Sequence, residues 1–226
     1  MRTVGIIGGV GPLAGAHFYR RLVELTPATR DEDHIPVVLA TDPAMPSRVA
    51  HLTGTGPSPL PSLVGLASRL VGAGAELLVI ASVTTSAYVD DLVAEVDVPV
   101  LDGLAEVGKA LGRGGFRHPA VLATTAVCSL QIVDSYLPAG VEPRYPDPAS
   151  GKEIQRVIED VKAGADPAAA AAALAPIADR DWAGGCDVRL LACTELPLLQ
   201  ANLPGPVPYL SVTDVLAEAT VRAASR

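Results

Sequence analysis

"GAELLVIASVTTSAY" runs from Gly74 to Tyr88, and "GCDVRLLACTELPLL" runs from Gly185 to Leu199. Laid one over the other, they are variants of one unit. Each has a Gly, a small residue, an acid, a short apolar run, an Ala, and then a small side chain carrying a hydroxyl or a thiol. That last position is Ser82 in the first copy and Cys193 in the second. Two further pairs keep the same order: "VPVLDG" from Val98 with "VPYLSV" from Val207, and more loosely "TVGIIGGVGP" from Thr3 with "PAVLATTAVC" from Pro119. Each pair is offset by roughly half the chain. The pattern predicts two similar α/β halves related by an approximate twofold axis, one built from residues 1–97 plus 208–226 and the other from 98–207.

Strand-length apolar runs recur along the chain: "TVGIIG", "IPVVLAT", "ELLVIAS", "VPVL", "PAVLATT", "VRLLAC" and "VPYLSV". Several are apolar throughout, the mark of strands covered on both faces. Between them lie "GPLAGAHFYRRLVEL", "LPSLVGLASRLVGAG", "TSAYVDDLVAEV", "GKEIQRVIEDVKAG" and "DPAAAAAALAPIADRDWAGG", which have helical spacing and end in Gly or Pro. Strand–helix alternation predicts parallel sheets. The Ala run after Pro167 reads as a helix with a small-residue face. In such sheets ligands sit at the carboxyl ends of strands, where Ser82 and Cys193 both fall. In a pseudo-symmetric pair they would face each other across one cleft.

The chain has 226 residues, 49% apolar, and a net charge of −8. That length can bury a substantial core. No basic cluster offers the stripe a nucleic-acid groove needs. No apolar run reaches the ~18 residues of a membrane span, and the N-terminus lacks the long apolar region of a signal peptide. Three cysteines make no disulfide framework, so Cys128, Cys186 and Cys193 read as thiols in a reducing, cytoplasmic compartment.

Cys193 precedes a segment with Pro197 at an early helical position. The field of a helix N-terminus would lower its pKa from the ordinary value of about 8.5. The plainer reading is a buried small hydrophobe, which is also the reading for Cys128 and Cys186. In "GIIGGVGPLAG", Gly8, Gly9 and Gly11 let the backbone approach a carboxylate or phosphate ahead of a helix begun by Pro12, or make a plain strand-to-helix turn. Gly9, Gly11 and Gly15 do not space as a dinucleotide fingerprint, and no Gly-Lys-Ser/Thr makes a P-loop. Ser82, Thr84, Thr85 and Ser86 place hydroxyls at one strand end, and Thr124 and Thr125 do so in the second half. Such groups cradle a carboxylate or simply cap a helix. Arg48, in the proline-bounded loop "DPAMPSRVAHL", can fork onto a carboxylate or be a solvated charge, and Lys162 has the same two readings. His17, His34, His51 and His118 have no metal spacing, and none adjoins Cys193.

Together these segments resemble the aspartate/glutamate racemase superfamily, on its aspartate racemase side, nearly end to end. "IIGGVGPLA" resembles the opening Gly-Gly-Met-Gly-Pro motif, and "LTPATRDEDHIPV" resembles the Thr-Pro-Ala…Asp…His-Ile-Pro stretch. "DPAMPSR" puts Arg48 on the substrate-binding arginine, and "VKAG" puts Lys162 on a second carboxylate ligand. "ACTELPLL" is close to the second catalytic-cysteine motif, Gly-Cys-Thr-Glu-Ile-Pro-Leu-Leu. The resemblance implies two pseudo-symmetric Rossmann-like α/β/α halves with the site between them, a homodimer, and a small-molecule carboxylate as substrate. It also implies chemistry without metal, pyridoxal or other cofactor: one thiolate removes the Cα proton and the opposing thiol returns one. Catalytic roles then fall to Cys193 and Ser82. Substrate contacts fall to Arg48, Thr84, Thr85, Ser86, Thr124, Thr125, Lys162, Thr194, Gly9 and Gly11.

The chain departs from the family where chemistry is concentrated. Cys-Asn-Thr-Ala-His is here Ser82-Val83-Thr84-Thr85-Ser86, and only Thr84 is retained. Thr-Thr-Gly-Thr is here "TTAV", with Val127 in place of a Thr, and the Asp near the last strand is Ser211. A hydroxyl is a far weaker acid than a thiol, so Ser82 supplies no resting anion at neutral pH, though it can return a proton directly or through water. Val83 predicts a substrate less polar than, or shaped differently from, aspartate. Three activities follow. One is a racemase or epimerase with an asymmetric Ser82/Cys193 pair. Another is a cofactor-free decarboxylase, similar to arylmalonate decarboxylase, in which Cys193 protonates an enediolate. The third is a repurposed isomerase or cyclase, or a ligand-binding protein without catalysis.

Overall fold

The computed structural model describes residues 1–8 and 11–225. The chain divides into two compact units, Met1–Glu106 with Thr213–Arg226, and Val107–Val212.

The first unit holds β1 (Val4–Gly8), α1 (Pro12–Leu25), β2 (Val37–Thr41), α2 (Arg48–Leu52), α3 (Leu60–Gly72), β3 (Leu77–Ile80), α4 (Val89–Val93) and β4 (Val100–Leu101). α5 (Gly103–Gly114) begins in it and ends in the second unit. The second unit continues with β5 (Pro119–Leu122), α6 (Thr125–Ser129), α7 (Pro148–Lys162), α8 (Pro167–Ala178), β6 (Val188–Leu191) and β7 (Tyr209–Ser211). All but the first residue of α9 (Val212–Ala224) belongs to the first unit. Both sheets are parallel, with strand orders β2-β1-β3-β4 and β5-β6-β7. The second sheet keeps a remnant of a fourth strand, because Arg144 makes a single parallel bridge to Ala120 where β2 would pair.

In the first unit β3 is buried at every residue, and its side chains divide between two cores. Leu78 and Ile80 pack with Leu63, Leu66 and Leu70 of α3. Leu77 and Val79 pack with Phe18 and Leu22 of α1 and with Leu216 and Ala217 of α9. The unit is therefore three-layered. In the second unit β6 is likewise buried throughout. Leu191 and Leu122 meet Ile154, Val157 and Ile158 of α7 and Leu174 of α8.

The repeated unit in the sequence is a repeated piece of structure. Gly74 (φ 96°) and Gly185 (φ 72°) both turn through the left-handed region, where an added Cβ is strained. The acid that follows ties its strand to the neighbouring one. Glu76 donates its N–H to Thr3 O (2.8 Å) and accepts Thr3 N–H on Oε2 (2.9 Å). Asp187 donates to His118 O (3.2 Å) and accepts from Arg117 N–H (2.5 Å) and His118 N–H (3.0 Å). The Ala after each apolar run donates to the central neighbour, Ala81 N to Ile7 O (3.3 Å) and Ala192 N to Leu122 O (2.9 Å), and both are buried.

The helices carry the expected signals. Asp147 caps α7 by accepting from Ala149 and Ser150 N–H, and Asp166 caps α8 through Ala169 N–H. Each cap is followed by a proline at the first helical position. The Ala run after Pro167 is the helix expected of it. Two expected features differ. "TSAYVDDLVAEV" is not one helix but a 3-10 helix, Thr84–Tyr88, followed by the short α4. "IPVVLAT" forms β2, but as an edge strand it is only partly covered, with Leu39 40% exposed. α5 and α9 add to the expected helices, and Leu104, Val107 and Leu111 mark the buried face of α5.

Replacing Asp187 by Ala leaves two backbone N–H groups without their acceptor. It should cost about 1–3 kcal/mol, read as a lower urea midpoint. Glu76→Ala, which removes one exposed bond, should cost measurably less. Equal losses would contradict this account of the repeated acid.

Candidate active site

Where β3 leaves the first sheet, Ser82 is the first partly exposed residue after a fully buried run. Its Oγ lies 3.4 Å from Thr84 Oγ1, and either atom can donate. Thr85 is fully buried and donates to Ser82 O (2.7 Å). Ser86, also buried, donates to Asp102 Oδ1 (2.5 Å), the oxygen that also accepts Leu104 N–H (3.0 Å) at the start of α5. The hydroxyls of Thr85 and Ser86 thus close the turn, and those of Ser82 and Thr84 stand at the partly exposed surface. Val83 is buried. Arg48, half-buried, opens α2 immediately after Ser47, whose Oγ accepts Ala50 N–H. Gly11 (φ 115°) precedes α1, and Gly9 lies outside the described residues.

Where β6 leaves the second sheet, Cys193 is 6% exposed and packs in the core formed with α7 and α8. Its Sγ donates to Glu195 Oε2 (3.1 Å). Thr194 Oγ1 donates to the same oxygen (3.3 Å). Lys162, the last residue of α7, holds Nζ 3.9 Å from Glu195 Oε1, its side chain half exposed while that of Glu195 is buried. Thr124 accepts Val127 N–H as the cap of α6, and Thr125, exposed, donates its N–H to Gln155 Oε1 (3.2 Å).

The expected depression of the Cys193 pKa is overturned. The segment that follows is a 3-10 helix, Leu196–Asn202, rather than an α-helix. Burial raises the thiol's pKa well above its ordinary value, and the Glu195 carboxylate raises it further, both by charge and by accepting the S–H. The Glu195 N–H and the Lys162 charge pull the other way and do not prevail. Cys193 is therefore a thiol at neutral pH, a proton donor beside a buried carboxylate. Cys128 is pushed up to about 12 by burial.

The two strand ends share one local design, in which the residue after Ala bonds the side chain two positions on. In the first unit that pair is hydroxyl to hydroxyl, Ser82 with Thr84. In the second it is thiol to carboxylate, Cys193 with Glu195, with an ammonium beyond. Sequence reasoning passed over Glu195, although its place two residues after the thiol was visible. Among the described residues no group of three or more His, Cys, Asp or Glu could hold a metal ion, and no helix is long and apolar enough to cross a membrane.

The model of the Asp/Glu/Hydantoin racemase family matches residues 7–220. Among solved structures the chain is similar to an aspartate racemase of Picrophilus torridus, 26% identical with a TM-score of 0.85, over all of this chain and 95% of that one. It is also similar to an aspartate racemase homologue from Pyrococcus horikoshii, 22% identical with a TM-score of 0.80, over the whole of both chains. An uncharacterized protein from Pectobacterium carotovorum is 31% identical over 116 residues, half of this chain and 77% of that one.

The charges around Cys193 set its reactivity with a sign that can be tested. Glu195→Gln removes the negative charge and the acceptor, which lowers the thiol pKa and should speed alkylation of Cys193 by iodoacetamide near pH 7. Lys162→Gln removes the opposing positive charge and should slow it. Peptide mass spectrometry reads both, with Cys128 as the unreactive internal reference. The reverse order would contradict the electrostatic assignment.

Proposed function

The chain belongs to the Asp/Glu/hydantoin racemase family, and on that premise we propose that it is a cofactor-independent isomerase acting at the Cα–H of an amino acid or related carboxylate, with unequal chemistry on the two faces. The observation that carries this reading is the Cys193–Glu195–Lys162 set, a buried thiol and carboxylate with a half-exposed ammonium, which has no counterpart beside Ser82 among the described residues. Arg48 in the first unit and Lys162 in the second would be the cations for substrate carboxylate, and Thr84 and Thr194 the hydroxyl donors.

On the Cys193 side, the thiol first gives its proton to Glu195. The thiolate then takes the Cα proton, and the Cα–H electron pair passes into the carboxylate as an enediolate. The thiol, once that proton has been traded for one from solvent, returns a proton to the same face and restores the starting enantiomer. Lys162 offsets the charge on this side while it is anionic. On the Ser82 side, the hydroxyl pair of Ser82 and Thr84 carries no charge. Inversion there draws its proton from a hydroxyl or a water held by it, a proton from solvent refills that site, and Glu195 releases the proton it took from the thiol to solvent. One enantiomer, the one whose Cα–H meets the thiol, should therefore exchange hydrogen faster than it inverts.

A second reading is favoured by the same raised thiol pKa. A protonated Cys193 suits the final step of a decarboxylation, in which a malonic acid loses CO₂ and the resulting enediolate takes the thiol proton.

Incubation of L- and D-amino acids and substituted malonic acids in D₂O separates these activities. The isomerase reading predicts α-deuterium in one enantiomer of its substrate ahead of optical inversion, with no carbon lost. The decarboxylase reading predicts CO₂ release and one deuterium at the α-carbon. In either case Cys193→Ser should lower the rate at least about a hundredfold, the usual scale of a positioned acid–base group. An unchanged rate would remove Cys193 from the reaction.

A further inference from the structure

Tyr88 stands six residues beyond Ser82 on the same connection and is 4% exposed. A phenol so buried has its hydroxyl partnered, and this one reaches two groups of a single short helix. It lies 3.3 Å from Arg48 O, to which it donates, and 2.9 Å from His51 Nδ1, whose N–H it accepts in the tautomer that satisfies both bonds. The His51 and Tyr88 rings also pack at a tilt, with centroids 5.6 Å apart. The Arg48 charge reaches the phenol as well. Burial pushes the Tyr88 pKa up, and the guanidinium pulls against that rise.

The helix concerned, α2, has five residues, from Arg48 to Leu52. A helix of that length does not hold itself together in water, so its placement comes from its attachments. Met45 ahead of it and Leu52 at its end pack into the core beside α3, and Ser47 caps its first turn. The paired bonds from Tyr88 to the carbonyl of the helix's first residue and to His51, one turn on, add a polar tie between this helix and the Ser82 connection.

We propose that Tyr88, with His51 as its partner, is a positioning residue that fixes the Arg48 guanidinium relative to the Ser82 turn, so that carboxylate capture and the hydroxyl side of the reaction form one rigid unit. This rests on the reading of Arg48 as a carboxylate ligand. It predicts that loosening the tie weakens substrate binding more than turnover. Recognition of the carboxylate would depend on a residue that never touches it.

The test uses the full chain with four substitutions: Tyr88→Phe, which keeps the ring, His51→Ala, His51→Asn, whose amide can still meet the hydroxyl, and Arg48→Gln. Backbone amide exchange over residues 48–53 is read by mass spectrometry, which reports local opening. KM and kcat are read from α-hydrogen exchange of L-aspartate, or of a better amino acid found by the D₂O screen. Tyr88→Phe and His51→Ala should speed amide exchange in α2 about tenfold and raise KM about fivefold, the size expected for one or two lost hydrogen bonds, while kcat changes less than about twofold. His51→Asn should recover part of both losses. Wild-type exchange rates in α2 for Tyr88→Phe, or a fall in kcat at unchanged KM, would overturn the proposal. The underlying reading fails separately. If Arg48→Gln leaves KM unchanged, Arg48 is not the ligand, and the amide exchange still decides whether Tyr88 sets its helix.

Discussion

A strand buried along its whole length must pair its backbone polar groups with its neighbours, and β3 and β6 are both buried along theirs. The rest of each unit is arranged around it. A left-handed glycine brings the chain in, an acid closes the first backbone bonds with the neighbouring strand, and an alanine makes the last one. After the alanine the two copies part: Ser82 is partly exposed, whereas Cys193 stays in the core. The side chain at this position changes while the glycine, the acid and the alanine of the unit recur.

The difference carries a change of electrostatics with it. Beside Ser82 the partner two residues on is Thr84, and the pair is neutral. Beside Cys193 the partner is a buried carboxylate with a lysine within 3.9 Å. Burial and that carboxylate keep the thiol protonated, against what a helix N-terminus would do. A lowered thiol pKa is one of the two readings the sequence allows, beside that of a buried small hydrophobe, because Pro197 announces a helical segment. The tight 3-10 winding of Leu196–Asn202 and the depth of the sulfur are properties of packing, which the local sequence does not state.

The architecture was legible because it is repetitive. The seven apolar runs became seven parallel strands, and "ELLVIAS" and "VRLLAC" became inner strands of two parallel sheets, of four and three strands. Of the site, positions were legible: Ser82 and Cys193 fall just beyond strand ends, and Arg48 and Lys162 at helix ends. Thr85 and Ser86 illustrate the limit. A hydroxyl that cradles a ligand and one that closes a turn look alike in sequence, and here both hydroxyls bond within the protein. Glu195 and Tyr88 illustrate the converse. A buried acid and a buried phenol gain meaning only from partners that folding brings to them, Cys193 and Lys162 for one, Arg48 and His51 for the other.

The central claim is that the fold leaves residue 82 to chemistry, and that a hydroxyl there is what separates exchange from inversion. Ser82→Cys tests it with a change of one atom. On the amino acid that exchanges, polarimetry alongside mass spectrometry in D₂O gives the ratio of inversion to α-hydrogen exchange. The account predicts a rise in that ratio of about tenfold or more, since a thiol is by far the stronger acid, with folding stability unchanged within about 1 kcal/mol. A stable Ser82→Cys protein whose ratio stays at the wild-type value would contradict it.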